Sequence, residues 1–276
     1  MTARFVEVAD RVHVLREPLL EVNVTLVVGD GEALLVDSLS TAGQAAELAA
    51  AARAVTPYPW TVVNTHHHFD HCFGNAALAA DPPRPVYAHE LAAAALRERP
   101  DRLRREAYEE LRDERPALAA EVAETVLLAP THTVHTETVL EIGGRRVELR
   151  HPGRGHTDGD LVVRVPDADV LVAGDLVEQS GPPAFEDSYP LQWPEAIAEL
   201  LRLTTPATVV VPGHGDPVDA AFVRTQHAQL VELAWLIRAA HTASAPPERV
   251  AADAPFGARP ALTAARRGYA ELDGTA

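Results

Sequence analysis

Lysine is absent from this chain. All 24 basic residues are arginine, set against 40 acidic ones, for a net charge of -16 with histidine neutral. Phosphate-backbone binding is driven by Lys and Arg, so nucleic acid is not an expected partner. A small anionic substrate stays open, because the field of a bound cation can oppose the global charge. Cysteine is nearly missing as well. A lone Cys72 cannot form an internal disulfide, which permits a reducing compartment. No apolar run approaches the ~18 residues of a membrane helix. The segment Met1 to Glu7 lacks the apolar stretch of a signal peptide. The simplest expectation is a cytoplasmic protein with no membrane contact. With 47% hydrophobic and 23% charged residues over 276 positions, the chain suits one large soluble domain, or at most two small ones. Arginine in place of lysine, with heavy alanine usage, hints at a GC-rich genome.

What the chain does have is concentrated in Thr65-His66-His67-His68-Phe69-Asp70-His71. The preceding run, Trp60 to Asn64, is short, β-branched and bounded by Pro57 and Pro59, so it reads as a strand. Residues two apart on an extended segment point to one side, so His66 and His68 can aim at one point just past the strand. Asp70 and His71 follow as the chain turns and can aim at a second point nearby. Imidazoles and a carboxylate gathered at one edge repel when charged and are costly to bury unpaired. A cation removes both problems.

Elsewhere the pattern alternates strands and helices. Residues 5–37 read as a β-meander with a hairpin turn at Gly29-Asp30-Gly31, closed by Asp37, which either partners a ligand histidine or caps the strand. Thr41 to Val55 reads as a helix stopped by Thr56-Pro57, and Cys72 to Ala80 as the start of another. Pro85 to Ala88 reads as a short strand. His89 to Arg99, Asp101 to Asp113 and Pro116 to Leu127 read as helices, and the mixed charges of Arg97 to Arg115 suit a solvated face or a lid. Hairpins are expected over Thr138 to Arg150 and Asp160 to Ala173. A helix follows from Pro194 to Leu203, a strand from Thr208 to Val211, and a long helix from Asp219 to His241. From Ala243 onward periodicity fades. The expected division is therefore a domain over 1–241 and a tail over 242–276, either weakly structured or a contact between two copies of the chain.

Three further motifs follow the first in order: Gly155-His156-Thr157, Ala173-Gly174-Asp175 and Pro212-Gly213-His214-Gly215. With H-x-H-x-D-H they resemble the metallo-β-lactamase-fold hydrolase superfamily, over roughly Val22 to Gly215. The resemblance implies an α/β fold, a four-layer αββα sandwich with two pseudo-symmetric halves. It implies His66, His68 and His156 as ligands of one divalent metal and Asp70, His71 and His214 as ligands of a second, with Asp175 bridging them. Two zinc ions suit these donors best, and iron, manganese or cobalt are also accommodated. Metal binding brings water to a pKa near ~7, so a hydroxide held between two cations would attack a small acyl substrate, a thioester, ester or lactone, with Asp70 orienting it.

The same comparison sorts the alternatives. Flavodiiron-type relatives carry a carboxylate where this chain has His68, and many β-lactamases of the fold carry Cys, or no ligand, at the place of Asp175. Glyoxalase-, lactonase- and thioesterase-like relatives use the full set seen here. A mononuclear-iron persulfide dioxygenase is the runner-up, followed by a phosphodiesterase and a non-catalytic metal-binding protein. Structural zinc sites are usually closed and Cys-rich, which these are not. His67 should face away from its neighbours, and Cys72 should be a small buried side chain. His89, His132, His135 and His151 read as ordinary histidines. The aromatics Phe185, Tyr189 and Trp193 suit either a substrate wall or ordinary packing.

Overall fold

The computed structural model describes residues 4–80 and 82–275. Its first half opens with four antiparallel strands, β1 (Val6–Ala9), β2 (Val12–Arg16), β3 (Asn23–Val28) and β4 (Ala33–Val36). Helix α1 (Ala42–Val55) starts where the Thr41 hydroxyl accepts from the Gln44 N–H at 3.2 Å, and ends before Pro57. β5 (Trp60–Val63), α2 (Phe69–Cys72), α3 (Asn75–Ala79) and β6 (Val86–His89) follow. Then come α4 (Glu90–Glu98), α5 (Pro100–Leu111), α6 (Pro116–Ala123) and β7 (His132–Val134). The second half holds β8 (Glu137–Ile142), β9 (Arg145–Arg150), β10 (Val162–Val165), β11 (Val170–Glu178), α7 (Trp193–Leu201), β12 (Val209–His214), α8 (Ala220–Thr242), α9 (Glu248–Ala251) and α10 (Ala258–Asp273).

Among the described residues these strands form a seven-stranded sheet in the order β1 to β7 and a five-stranded sheet in the order β12-β11-β10-β9-β8. Strand alternation explains the layering. On β4, Leu34 and Val36 face the second sheet and join Val147, Leu149, Val163 and Val172, whereas Ala33 and Leu35 face outward onto Leu48 of α1 and Leu78 of α3. On β11, Val170 and Val172 face the first sheet, while Leu171 and Ala173 pack with α7 and α8. Helices thus cover both outer faces, the αββα arrangement. α4, α5 and α6 form a satellite cluster on Phe69 and Phe73. None of the described helices is long and apolar enough to cross a membrane.

The C-terminal segment is not weakly structured, and there is a physical reason why sequence missed this. Residues 258–273 form the well-defined helix α10, and it packs into the main core through Ala261, Ala264, Ala265 and Gly268. Their spacing is helical, but they are alanine and glycine, without the large apolar side chains that mark a core helix in sequence. A Cβ on Gly268 would lie 2.7 Å from Cγ2 of Ile237 on α8, so glycine permits the close approach.

His89 makes the fold acid-sensitive. It is 3% exposed, stacks on His151 with ring centroids 4.1 Å apart, and Nε2 donates to the His135 carbonyl at 3.1 Å. Burial, and then His151, lower its pKa to about 4. A folded pKa below the unfolded one gives stability that is complete above the unfolded value and lost as pH falls through the folded value. His89→Gln removes that term. Urea unfolding should show the wild-type advantage over this variant shrinking by about 2–3 kcal/mol between pH 7.5 and pH 4.5.

Candidate metal centre

Every residue of the site stands at or just beyond a strand end on one edge of the sandwich. The segment after β5 carries His66 and His68, and the short α2 turns Asp70 and His71 inward. That turn is held by a buried asparagine pair: Asn64 Nδ2 donates to the His71 carbonyl at 3.2 Å and to Asn75 Oδ1 at 3.0 Å. His156 lies between β9 and β10, Asp175 near the end of β11, and His214 on the last residue of β12. β11 runs on to Glu178, past the Ala173 end expected from sequence, with its register against β12 shifting around Gly174. Gly213 is required here, since a Cβ on it would overlap the Asp175 carboxylate. The β12 end is tied to the first sheet by Asn23 Nδ2, which donates to the carbonyls of Pro212 at 3.0 Å and Gly215 at 2.8 Å.

Two groups converge. His66, His68, His156 and Asp175 offer ligand atoms within 4.8 Å of one another, and so do Asp70, His71 and His214. Asp175 touches both: Oδ2 lies 3.6 Å from His66 Nε2, 3.4 Å from His156 Nε2 and 3.5 Å from His214 Nε2, and Oδ1 lies 3.1 Å from His71 Nε2. Each histidine directs one ring nitrogen inward while the other meets a fixed partner. His66 Nδ1 meets Thr65 Oγ1 at 3.0 Å, and His68 Nε2 meets Asp187 Oδ1 at 3.2 Å. His71 Nδ1 meets Asp37 Oδ2 at 2.8 Å, His156 Nδ1 the Ala184 carbonyl at 3.3 Å, and His214 Nδ1 the Leu20 carbonyl at 2.8 Å. Outer partners of this kind select the tautomer whose inner nitrogen is a lone pair. Asp37 therefore takes the histidine-partner role. Its carboxylate also accepts from the Thr65 N–H at 2.7 Å and hydroxyl at 2.8 Å, and its backbone holds a positive φ of 72°.

The donors fit a divalent cation. His66 Nε2 and Asp175 Oδ1 are buried with no hydrogen-bond partner, a cost of about 1–3 kcal/mol each. His156 Nε2 and His68 Nδ1 face each other at 2.9 Å, as do His71 Nε2 and His214 Nε2 at 3.4 Å. Burial, with His71 nearby, holds the His66 pKa well below its ordinary value, and burial lowers His156 to about 4, so both rings are neutral and able to donate electron pairs. His71 and His214 go the other way. Burial opposes their charge, but Asp175 raises both well above the ordinary range, with Asp70 adding to the effect. Cation uptake must displace those protons, so it weakens in acid.

Other residues sort cleanly. Cys72 is buried and its Sγ donates to the carbonyls of His67 at 3.2 Å and His68 at 3.1 Å, away from either group. Cys72→Ser should leave the metal content unchanged by elemental analysis. His151 donates from Nδ1 to the Asp160 carbonyl at 2.8 Å, and it stacks on His89. Phe185 and Trp193 are core residues, 1% and 0% exposed, so of the three loop aromatics only Tyr189 is partly open to solvent. Two carboxylates escaped sequence reading. Glu178, 8% exposed, joins Asp175 and His214 within 4.8 Å, where burial, and then the charge of Asp175, push its carboxyl well up. Asp187 joins His67 and His68. Glu178 ends an unusually long apolar strand, which is a faint signal; Asp187 leaves none.

The family model of the metallo-beta-lactamase superfamily matches residues 18–214. Among curated proteins, a metallo-beta-lactamase type 2 of Bacillus sp. (strain 170) is 29% identical over 157 residues, 56% of this chain and 51% of that protein. One from Bacillus cereus is 28% identical over 161 residues, 57% of this chain and 52% of that protein. The chain thus spans about half the length of the curated relatives it matches. Among solved structures, a metallo-beta-lactamase from Pontibacter korlensis superposes with a TM-score of 0.67 at 23% identity, over 83% of this chain and 99% of that one. The DIM-1 metallo-beta-lactamase gives 0.66 at 21%, over 84% and 98%, and at such identities the likeness shows the fold alone. The motif order, the two converging groups and the match over 18–214 together place this chain in the metallo-beta-lactamase superfamily.

Proposed function

We propose that this protein is a metal-dependent hydrolase of a small, activated acyl compound, a thioester, ester or lactone. The observation that supports this reading best is Asp175, one buried carboxylate in reach of histidines from both groups. In this reading His66, His68 and His156 hold one divalent ion and Asp70, His71 and His214 the other, with zinc the best match to N and O donors and Asp175 shared. Such ions lower the pKa of water toward ~7 and stabilise negative charge on a carbonyl oxygen.

The chain's own groups shape the rest. His68 and His214 are the open side of the site, with 28% and 16% of their side chains exposed, while His66, His71 and His156 are sealed behind them. Substrate therefore approaches past His68 and His214. Asp70, with Oδ2 at 3.3 Å from His214 Nε2, borders that opening and is placed to take up and return a proton. No lysine exists to serve as an acid. A leaving group that departs without strong protonation suits this site, which favours thiolates and activated alkoxides over ordinary amide nitrogen. The names of the curated relatives support a second reading, opening of a strained β-lactam ring.

A screen of metal-loaded protein against thioesters, esters, lactones, β-lactams and phosphodiesters tests this. Thioester, ester or lactone cleavage that is lost on chelation and rises with pH is the expected result. Turnover of β-lactams alone selects the second reading. Cleavage of phosphodiesters alone overturns the acyl assignment, and oxygen uptake with a persulfide on one bound iron overturns hydrolysis.

A further inference from the structure

We propose that the C-terminal helix α10 sets the geometry of the first metal group, acting at a distance through Asp187. The inference rests on the reading that these histidines hold a cation. Its basis is the loop 179–192 between β11 and α7, which supplies the outer partner of two of the three histidines in that group. His156 meets the Ala184 carbonyl and His68 meets Asp187, whose two oxygens lie 3.2 and 3.3 Å from Nε2. Asp187 is the only charged partner in the group, since His66 and His156 rely on a hydroxyl and a carbonyl. A carboxylate at Nε2 keeps the proton there, leaves Nδ1 as a lone pair and makes that nitrogen a stronger donor. The same carboxylate lies 3.5 Å from His67 Nε2, which is buried at 7% exposure and has no other assigned task.

Asp187 is itself held from outside. Arg267 on α10 donates from Nη2 to the Asp187 carbonyl at 3.1 Å and from Nε to the Ser188 carbonyl at 3.0 Å. Four residues on, and so on the same helix face, Glu271 accepts from the Leu191 N–H and from Gln192 Nε2, both at 3.0 Å. Arg154 and Arg267 flank the Tyr189 ring between these anchors, 4.9 and 5.6 Å from its centroid. α10 in turn is seated on α8 by its face of small residues. The chain of contact runs from the core through α10, Arg267 and the loop backbone to Asp187, and from Asp187 to His68. It begins well beyond residue 214, where the family match ends. Asp187 and Arg267 are positioning residues and touch no substrate in this account.

Chelator-competition titration of the whole chain with Zn2+, repeated with Co2+ to follow its visible absorption, tests the proposal. Asp187→Asn should weaken one of two metal equivalents by about 10–100-fold and leave the other, the far-UV circular dichroism and the melting temperature unchanged. Arg267→Met should shift the same equivalent in the same direction by less. Arg267→Lys, which keeps one donor, should restore part of the loss. Arg266→Ala is the control, because the Arg266 side chain is exposed and pairs with Glu248 on α9. Unchanged affinities in Asp187→Asn would overturn the role of Asp187. An Arg267→Met variant indistinguishable from wild type would overturn the role of the helix. A wild-type protein that binds no cation would overturn the underlying metal reading and this inference with it.

Discussion

Asp175→Asn is expected to lower acyl hydrolysis by about 10²–10³-fold or more while the protein stays folded. Losing even an outer partner of a ligand typically costs 10–100-fold, and transition-state stabilisers cost about 10²–10³-fold. Asp175 is more central than either, since it alone reaches His66, His71, His156 and His214. Asparagine keeps the volume that Gly213 leaves for it, so steric disruption is not the cause. The charge is. With metal-free protein, His71 and His214 lose the neighbour that raises their pKa values, so their protonation near neutral pH should fall in an NMR titration. With metal added, one or both equivalents should bind more weakly. Full activity in Asp175→Asn would remove the shared carboxylate from the mechanism.

Trp193→Ala is expected to cost about 3–5 kcal/mol of stability. Trp193 is fully buried at the start of α7, and its Nε1–H donates to the Leu176 carbonyl at 3.2 Å on β11. Its ring packs edge-on to His156, 5.7 Å between centroids, and to Phe185 at 5.3 Å. Alanine would leave a cavity beside His156 and remove one of two donors to that carbonyl, Gln226 Nε2 at 2.8 Å keeping the other. Chemical denaturation should show the loss, and metal affinity should fall with it. Leucine at the same position should recover part of the packing but not the hydrogen bond.

The convergence of the histidine-rich stretch was legible because its geometry is local. His66, His68, Asp70 and His71 lie within six residues, where the alternation of a strand and the first turn of a helix fix their directions. The two-sheet sandwich was legible from resemblance, and its β-rich halves from short apolar runs such as Ala33 to Val36. What stayed hidden depends on long-range contact. Asp187 meets His68 across 119 positions of sequence and is one acidic residue among forty. The continuation of β11 to Glu178 was masked by Gly174, which reads as a strand stop but here takes a positive φ of 54° within the strand. α10 was masked by its own composition, since its buried face is alanine and glycine, without the large apolar side chains that mark a core helix. The charged run on α5 carries ion pairs such as Arg102 on Glu106 at 2.7 Å, over a buried face of Leu103, Ala107 and Leu111.

Anomalous diffraction from crystals of zinc-loaded protein locates cations directly. Two peaks about 3.5–4 Å apart are predicted, one among His66, His68 and His156 and the other among Asp70, His71 and His214, with Asp175 in contact with both. A single peak, or zinc bound away from Asp175, would contradict the account.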